Sequence, residues 1–222
     1  MGGSSRQSLA ALRSALDSSL KGASSGDCSH LSSDLFSSLG ALESSAGLRR
    51  ALTDPARDVA AKSNLVSDLF KSVLKGPALA LLTQAAGLRW SSPSDFADAI
   101  EQLAVEAESA AANSENKLDS LLDELFAFAK SLVENPDLRS ALTNSGDTLA
   151  RKIDLTKSIF GAKFGSHTIS LITQIVSGRS GRSIEKTLSA HIHAVTARRN
   201  RVNAFISTAI PLTSVQQEKL AA

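Results

Sequence analysis

Acid–base, nucleophilic and metal chemistry each need certain side chains at certain separations, and this chain offers few. Its four histidines are His30, His167, His191 and His193. The last two lie two residues apart, about 200° around a helix, so they cannot ligate one ion. No cysteine or third histidine stands near them in sequence. Cys28 is the single cysteine, which excludes an internal disulfide and fits a reducing compartment. It falls in a Ser-rich stretch read as a loop and has no histidine partner in view. Gly161-Ala162-Lys163-Phe164-Gly165-Ser166 has the outline of a phosphate loop but not its Gly-Lys-Ser/Thr ending, and no strand precedes it. A turn between helices is the reading. The carboxylate pairs Asp119/Asp123 and Asp123/Glu124 sit on hydrophilic helix faces where water solvates them. No nucleophile–base or acid–base pair stands out, so the expectation is a chain with no catalytic, cofactor or metal site.

Charge adds one local feature. The net charge is +2, but Arg179, Arg182, Lys186, Arg198, Arg199 and Arg201 face Glu185 alone between 179 and 201, a local +5. Such a strip suits an acidic protein, a lipid surface or nucleic acid and selects none of them. No aromatic side chains interleave Arg198 to Arg201 for base stacking. The simpler reading is a solvated helix C-terminus, where cations also oppose the helix dipole.

The elements that would position any site are helical. Leu9, Leu12, Leu16 and Leu20 follow a Ser/Gly tail and form one amphipathic helix; Gly22 to Asp27 reads as a loop. Leu31, Leu35, Leu39 and Leu42 make the stripe of a second. Leu48 to Leu52 is a short third. Asp54-Pro55 reads as the start of a fourth that buries Val59, Val66, Leu69, Phe70 and Val73. Gly76 to Leu88 and Gly165 to Gly178 carry no charged side chain. They are too short to span a bilayer and suit helices buried nearly all round, or one wall of an apolar groove. Ser94 caps a helix over 94–111, and Ala110 to Asn116 is a soft boundary. Further helices are expected over 118–132, 148–160 and 183–199. Val202, Ala204 and Ile206 alternate with Asn203, Phe205 and Ser207, which reads as a strand over 201–209. Thr213 and Gln216 then open a helix.

Residues 35–70 recur without a gap at 125–160, with twelve identities where composition alone gives about three. Leu35-Phe36, Leu48-Arg49 and Ala51-Leu52-Thr53 return as Leu125-Phe126, Leu138-Arg139 and Ala141-Leu142-Thr143. What is copied is a folding unit. The fold class is therefore all-α: two tandem six-helix-type bundles related by ninety residues, then a short strand–helix start of a truncated α+β domain. The divisions are 1–93, 94–200 and 201–222. With 222 residues, 42% of them hydrophobic and 21% charged, the chain is globular rather than disordered.

Three stretches resemble the delta subunit of bacterial F-type ATP synthases, the counterpart of the mitochondrial oligomycin-sensitivity-conferring protein. Phe96-Ala97-Asp98-Ala99-Ile100-Glu101-Gln102-Leu103-Ala104 is similar to the opening helix of that family. Gly178-Arg179 before the helix from Ile184 resembles its Gly-Arg turn. Ile206-Ser207-Thr208-Ala209-Ile210-Pro211-Leu212-Thr213, then Gln216-Gln217, resembles the strand-to-helix signature of its C-terminal domain, carried here by Ala209, Pro211, Leu212 and Thr213. The preceding copy resembles the enlarged delta subunits of actinobacteria. The helix at 94–111 falls where both the last helix of unit one and the first of unit two belong.

The resemblance implies a non-catalytic stator subunit, without cofactors, peripheral on the cytoplasmic face of the plasma membrane. Its implied partners are N-terminal helices of the ATP synthase alpha subunit and the b subunit of the peripheral stalk, with no nucleic acid and no direct membrane insertion. Carried over, the alpha-helix groove would use Phe96, Ile100, Leu103, Ile169, Ile172, Ile175 and Val176. The first unit would make an extra stalk or head contact. A helical-repeat adaptor outside ATP synthase and a basic-patch nucleic-acid binder are the competing readings.

Overall fold

The computed structural model describes residues 1–178 and 181–202. Among the described residues the chain is built of eleven helices: α1 (Gly3–Leu20), α2 (Ser25–Ser44), α3 (Ala46–Thr53), α4 (Val59–Phe70), α5 (Gly76–Gly87), α6 (Pro93–Ser114), α7 (Leu118–Glu134), α8 (Pro136–Thr143), α9 (Leu149–Phe160), α10 (Ser166–Ser177) and α11 (Ile184–Val202). Arg179 and the signature residues Ala209, Pro211, Leu212 and Thr213 lie outside the described residues, as does the expected strand beyond Val202. Arg201 and Val202 themselves continue α11 rather than opening that strand.

Short-range chemistry sets most boundaries. Ser24 and Asp27 form a capping box that starts α2, so the loop before it is shorter than expected and Cys28 is helical. Ser45 accepts from the Leu48 amide at 3.1 Å to start α3. Ser92 accepts from the Asp95 amide at 3.1 Å, with Pro93 in the first turn of α6. Asp54 instead turns the chain, its carboxylate accepting from the Ala56 amide at 2.9 Å. That turn delays α4 to Val59 and leaves Pro55 outside it. Two further corrections concern the ends of helices. The Ser/Gly tail is already helical from Gly3, and α6 runs through the soft boundary to Ser114 before the chain reverses at Asn116 with φ 57°.

A second kind of cap comes from a neighbouring helix. The Asp34 carboxylate on α2 accepts from the Lys75 amide at 3.1 Å, at the start of α5. Ninety residues on, the Glu124 carboxylate on α7 accepts from the Gly165 amide at 2.9 Å, at the start of α10. Each acid satisfies an amide that has no partner within its own helix and complements the helix dipole.

α6 lies at the centre. α2 runs antiparallel along it: Ser25 meets Ala111 and Glu115 near its end, and Ser29 meets Glu108 a turn earlier. α1, α3, α7, α10 and α11 also pack on it. Phe96, Ile100 and Leu103 are fully buried, and the buried apolar side chains of both halves join in one cluster. Burying each such side chain contributes about 1.5–3 kcal/mol. α3, α4 and α5 lie ninety residues before α8, α9 and α10, and α6 follows α5 as α11 follows α10. The helix from 93 thus serves both halves, and the 93/94 division does not separate two cores.

Burial is more one-sided than the sequence suggests. In α5, Ala78, Leu81, Leu82, Ala85 and Ala86 are buried while Pro77, Ala80 and Gln84 are exposed. α10 likewise buries one face. On α4, Val66 and Phe70 are buried, but Val59 and Leu69 are 51% and 48% exposed and Val73, just beyond the helix, 68%, against expectation.

Candidate partner-binding site

The carboxylates of α6 explain why no reactive site emerges. Glu101, Glu106 and Glu108 are buried, and each is satisfied by another part of the chain. Glu106 accepts from Arg13 of α1 at 2.7 Å. Glu108 accepts from Ser29 of α2 at 3.1 Å and meets His167 Nδ1 of α10 at 2.7 Å. Glu101 accepts from Arg182 at 2.6 Å and lies 3.3 Å from His191 Nε2 of α11. Buried charges need partners of this kind, because an unpaired one is strongly destabilising. The acids are thus structural ties between helices.

Glu115 extends this network at the end of α6. Hydrogen bonds from Lys117 and Ser25, with a further contribution from His167, hold its carboxyl at about 2, well below the usual 4.5. His167 Nε2 approaches it at 3.4 Å. Cys28 points into the core, not into a loop, and burial raises its thiol pKa, with Asp27 adding to the effect. A protonated, buried thiol is a poor nucleophile. Among the described residues no group of three or more His, Cys, Asp or Glu could hold a metal ion.

The arginine strip is also committed internally. Arg182 pairs with Asp98 as well as Glu101, Arg198 with Asp17 of α1, and Arg199 with Asp119 at 2.8 Å. Three of its cations are therefore partly neutralised by the chain's own carboxylates, which argues against a phosphate-tracking surface.

The expected apolar groove is not open as drawn. Phe96, Ile100 and Leu103 of α6 and Ile172, Ile175 and Val176 of α10 are all buried, and Ile169 packs partly buried against them. The structure brings the two helices together, but as an interior seam. In the chain by itself these side chains are covered by its own packing rather than lining an open groove. The physical reason is α6's shared position, which spends its apolar surface on both halves. At the far end of the seam, Ile175 and Val176 reach a cleft of about 350 Å³ shared with Leu142 and Ile184. Gly178 ends α10 beside it with φ 75°.

An open apolar groove does exist, between α7 and α11. It measures about 630 Å³, with Leu132 and Leu188 on its floor and Phe126, Val133 and Ile192 on its walls. Phe126 is 52% and Val133 81% exposed, an uncovered apolar pair about two turns apart on one helix face. Arg139 of α8 and Glu185 of α11 close one rim with an ion pair at 2.5 Å. The sequence carried a signal for it. Phe126, Ala129 and Val133 form an apolar stripe on α7 beside the core stripe of Leu121, Leu125, Phe128 and Leu132, a wider arc than one buried face needs.

Comparison with known proteins gives a consistent result. A family model described as the ATP synthase delta (OSCP) subunit matches residues 94–222. Proteins named ATP synthase subunit delta are similar along nearly all of the chain. The one from Streptomyces avermitilis is 38% identical over 99% of this chain and 80% of its own length. That from Kineococcus radiotolerans is 36% identical over 99% and 79%. That from Thermobifida fusca is 33% identical over 100% and 81%.

Proposed function

The chain belongs to the ATP synthase delta (OSCP) subunit family, and from that premise we propose that its α7–α11 groove receives an amphipathic N-terminal helix of an alpha subunit. The chain is a non-catalytic peripheral-stalk subunit of ATP synthase and works through contacts with other subunits of that complex. No helix among the described residues is long and apolar enough to cross a membrane. It meets the membrane through the complex.

The observation that carries the reading is the exposed pair Phe126 and Val133 above a floor of Leu132 and Leu188. A helix presenting apolar residues at i, i+3 and i+4 would cover them, burying apolar area without any chemistry. That suits a stator, whose task is to resist torque. The Arg139–Glu185 pair at the rim offers both signs of charge to the polar side of such a helix.

The partner of the first half is proposed to be the stalk b subunit. What supports this is a separate apolar ridge on α4, Leu69 with Val73 just beyond it, left uncovered by the rest of the chain. The test is direct. A peptide of the alpha N-terminal helix should bind the full chain in calorimetry and lose affinity on Phe126→Asp. A b-subunit segment should respond to Leu69→Asp instead. Binding of the alpha peptide that ignores Phe126 would remove this assignment.

A further inference from the structure

A cleft in the first half has a charge pattern that the stalk contacts leave unused. It lies between the turn joining α3 to α4 and the connection from α5 to α6, and encloses about 380 Å³. Lys62 lines it from α4 and is only 4% exposed. Among the described residues, no hydrogen bond or ion pair reaches its ammonium group. Arg57 and Arg89, both exposed, stand at the mouth, and no acidic residue lines the cleft. The side chain is packed along its length while its ammonium group opens into the cleft, so a cation with no counter-charge beside it is presented there.

The second half shows the alternative. Lys152, ninety residues on, lines a cleft that also contains Asp147 and Asp154. Asp147 occupies the position copied from Arg57, and Asp154 that copied from Asn64. One lysine therefore shares its cleft with carboxylates of the chain, Asp147 being paired there with Arg151, while the charged residues that line its counterpart's cleft are all cationic.

We infer that the first-half cleft binds a small molecule bearing a phosphate or carboxylate group. Lys62 supplies the counter-charge at its floor, and the guanidinium forks of Arg57 and Arg89 supply donors at the rim. Val59, Leu88 and Trp90 provide walls for the non-ionic part of the ligand. The volume falls in the range of small-molecule sites, about 300–1,000 Å³.

Trp90 makes this measurable, because it is the single tryptophan of the chain and lines the cleft. Its indole donates to the Ala85 carbonyl at 2.8 Å and meets Phe96 edge-on at 5.5 Å, so the ring is held in place. The full chain is titrated with inorganic phosphate and separately with citrate at constant ionic strength, with sodium chloride as control. The expected result is a saturable change in Trp90 emission. Its apparent Kd should weaken about tenfold or more in Lys62→Met and stay unchanged in Lys152→Met. Saturation with phosphate alone, or citrate alone, identifies which oxyanion the cleft takes. An emission change no larger than with chloride overturns the inference, as does equal affinity in Lys62→Met. Arg89→Gln, at an exposed position, guards against a folding defect in the first variant. With circular dichroism unchanged it should weaken binding severalfold, and no effect there would count against the site.

Discussion

Phe36 and Phe126 hold copied positions on α2 and α7, yet Phe36 is 7% exposed and Phe126 52%. Phe36 lies in the shared core, with the His191 ring of α11 at 5.9 Å between centroids. Phe126 faces the open groove. The same side chain is thus an internal contact in one half and a presented surface in the other.

Substitution should separate these roles. Phe126→Asp and Val133→Asp are expected to change folding stability by only about 0.5 kcal/mol, as surface changes do. Both should weaken alpha-peptide binding about tenfold or more. Phe36→Ala should cost about 3–5 kcal/mol in urea unfolding. A large stability loss at Phe126 would show that the groove is not a free surface.

Ile172→Asp tests the interior seam. Ile172 is fully buried between α6 and α10, so an aspartate there has no solvent and no partner. Unfolding should become easier by several kcal/mol, roughly 3–5, with loss of helicity at moderate temperature. A variant with native thermal stability would mean that the seam opens to water.

Acid should loosen the junction of α2, α6 and α10. The Glu115 carboxyl sits at about 2 in the fold against 4.5 when unperturbed. A depressed folded value contributes stability that is fully present above the unfolded value and lost as pH falls through the folded one. The carboxyls of Asp27 and Glu185 are lowered too, mainly by hydrogen bonds from Ser24 and from the Glu185 backbone respectively. Urea midpoints should therefore decline between pH 4.5 and 2, and Glu115→Gln should flatten part of that decline.

Gly178→Ala probes the turn that ends α10. Gly178 has φ 75°, and nothing lies within 4 Å of where a Cβ would be. Its ψ of 162° places it in an extended positive-φ region that is essentially glycine-only, so the cost is backbone strain of about 1–3 kcal/mol. Thermal denaturation measures it, and an unchanged midpoint would show that the turn readily adopts another conformation.

Much of the helix order is legible in the sequence, because Leu31, Leu35, Leu39 and Leu42 follow the helical period and Ser24, Ser45 and Ser92 cap where caps are needed. Other features depend on distant partners and leave no local trace. Glu101, Glu106 and Glu108 have no partner close by in sequence, but Arg13, Ser29, His167, His191 and Arg182 approach them from other parts of the chain. Val59, Leu69 and Val73 have core-like identities, and only the packing of α4 reveals that its outer side is bare. The α6–α10 pattern reads as a groove for a related reason. Apolar periodicity marks burial, and on α6 and α10 that burial is internal. The caps of α5 and α10 show the opposite case: Asp34 and Glu124 differ as letters but do the same work.

A single 22-residue rod packs against elements of both halves, so among the described residues they are joined through one continuous helix. Arg13, Ser29, His167 and His191 pin it on several sides. A twisting load applied to either end would be carried as strain along one stiff strut rather than dissipated in a linker.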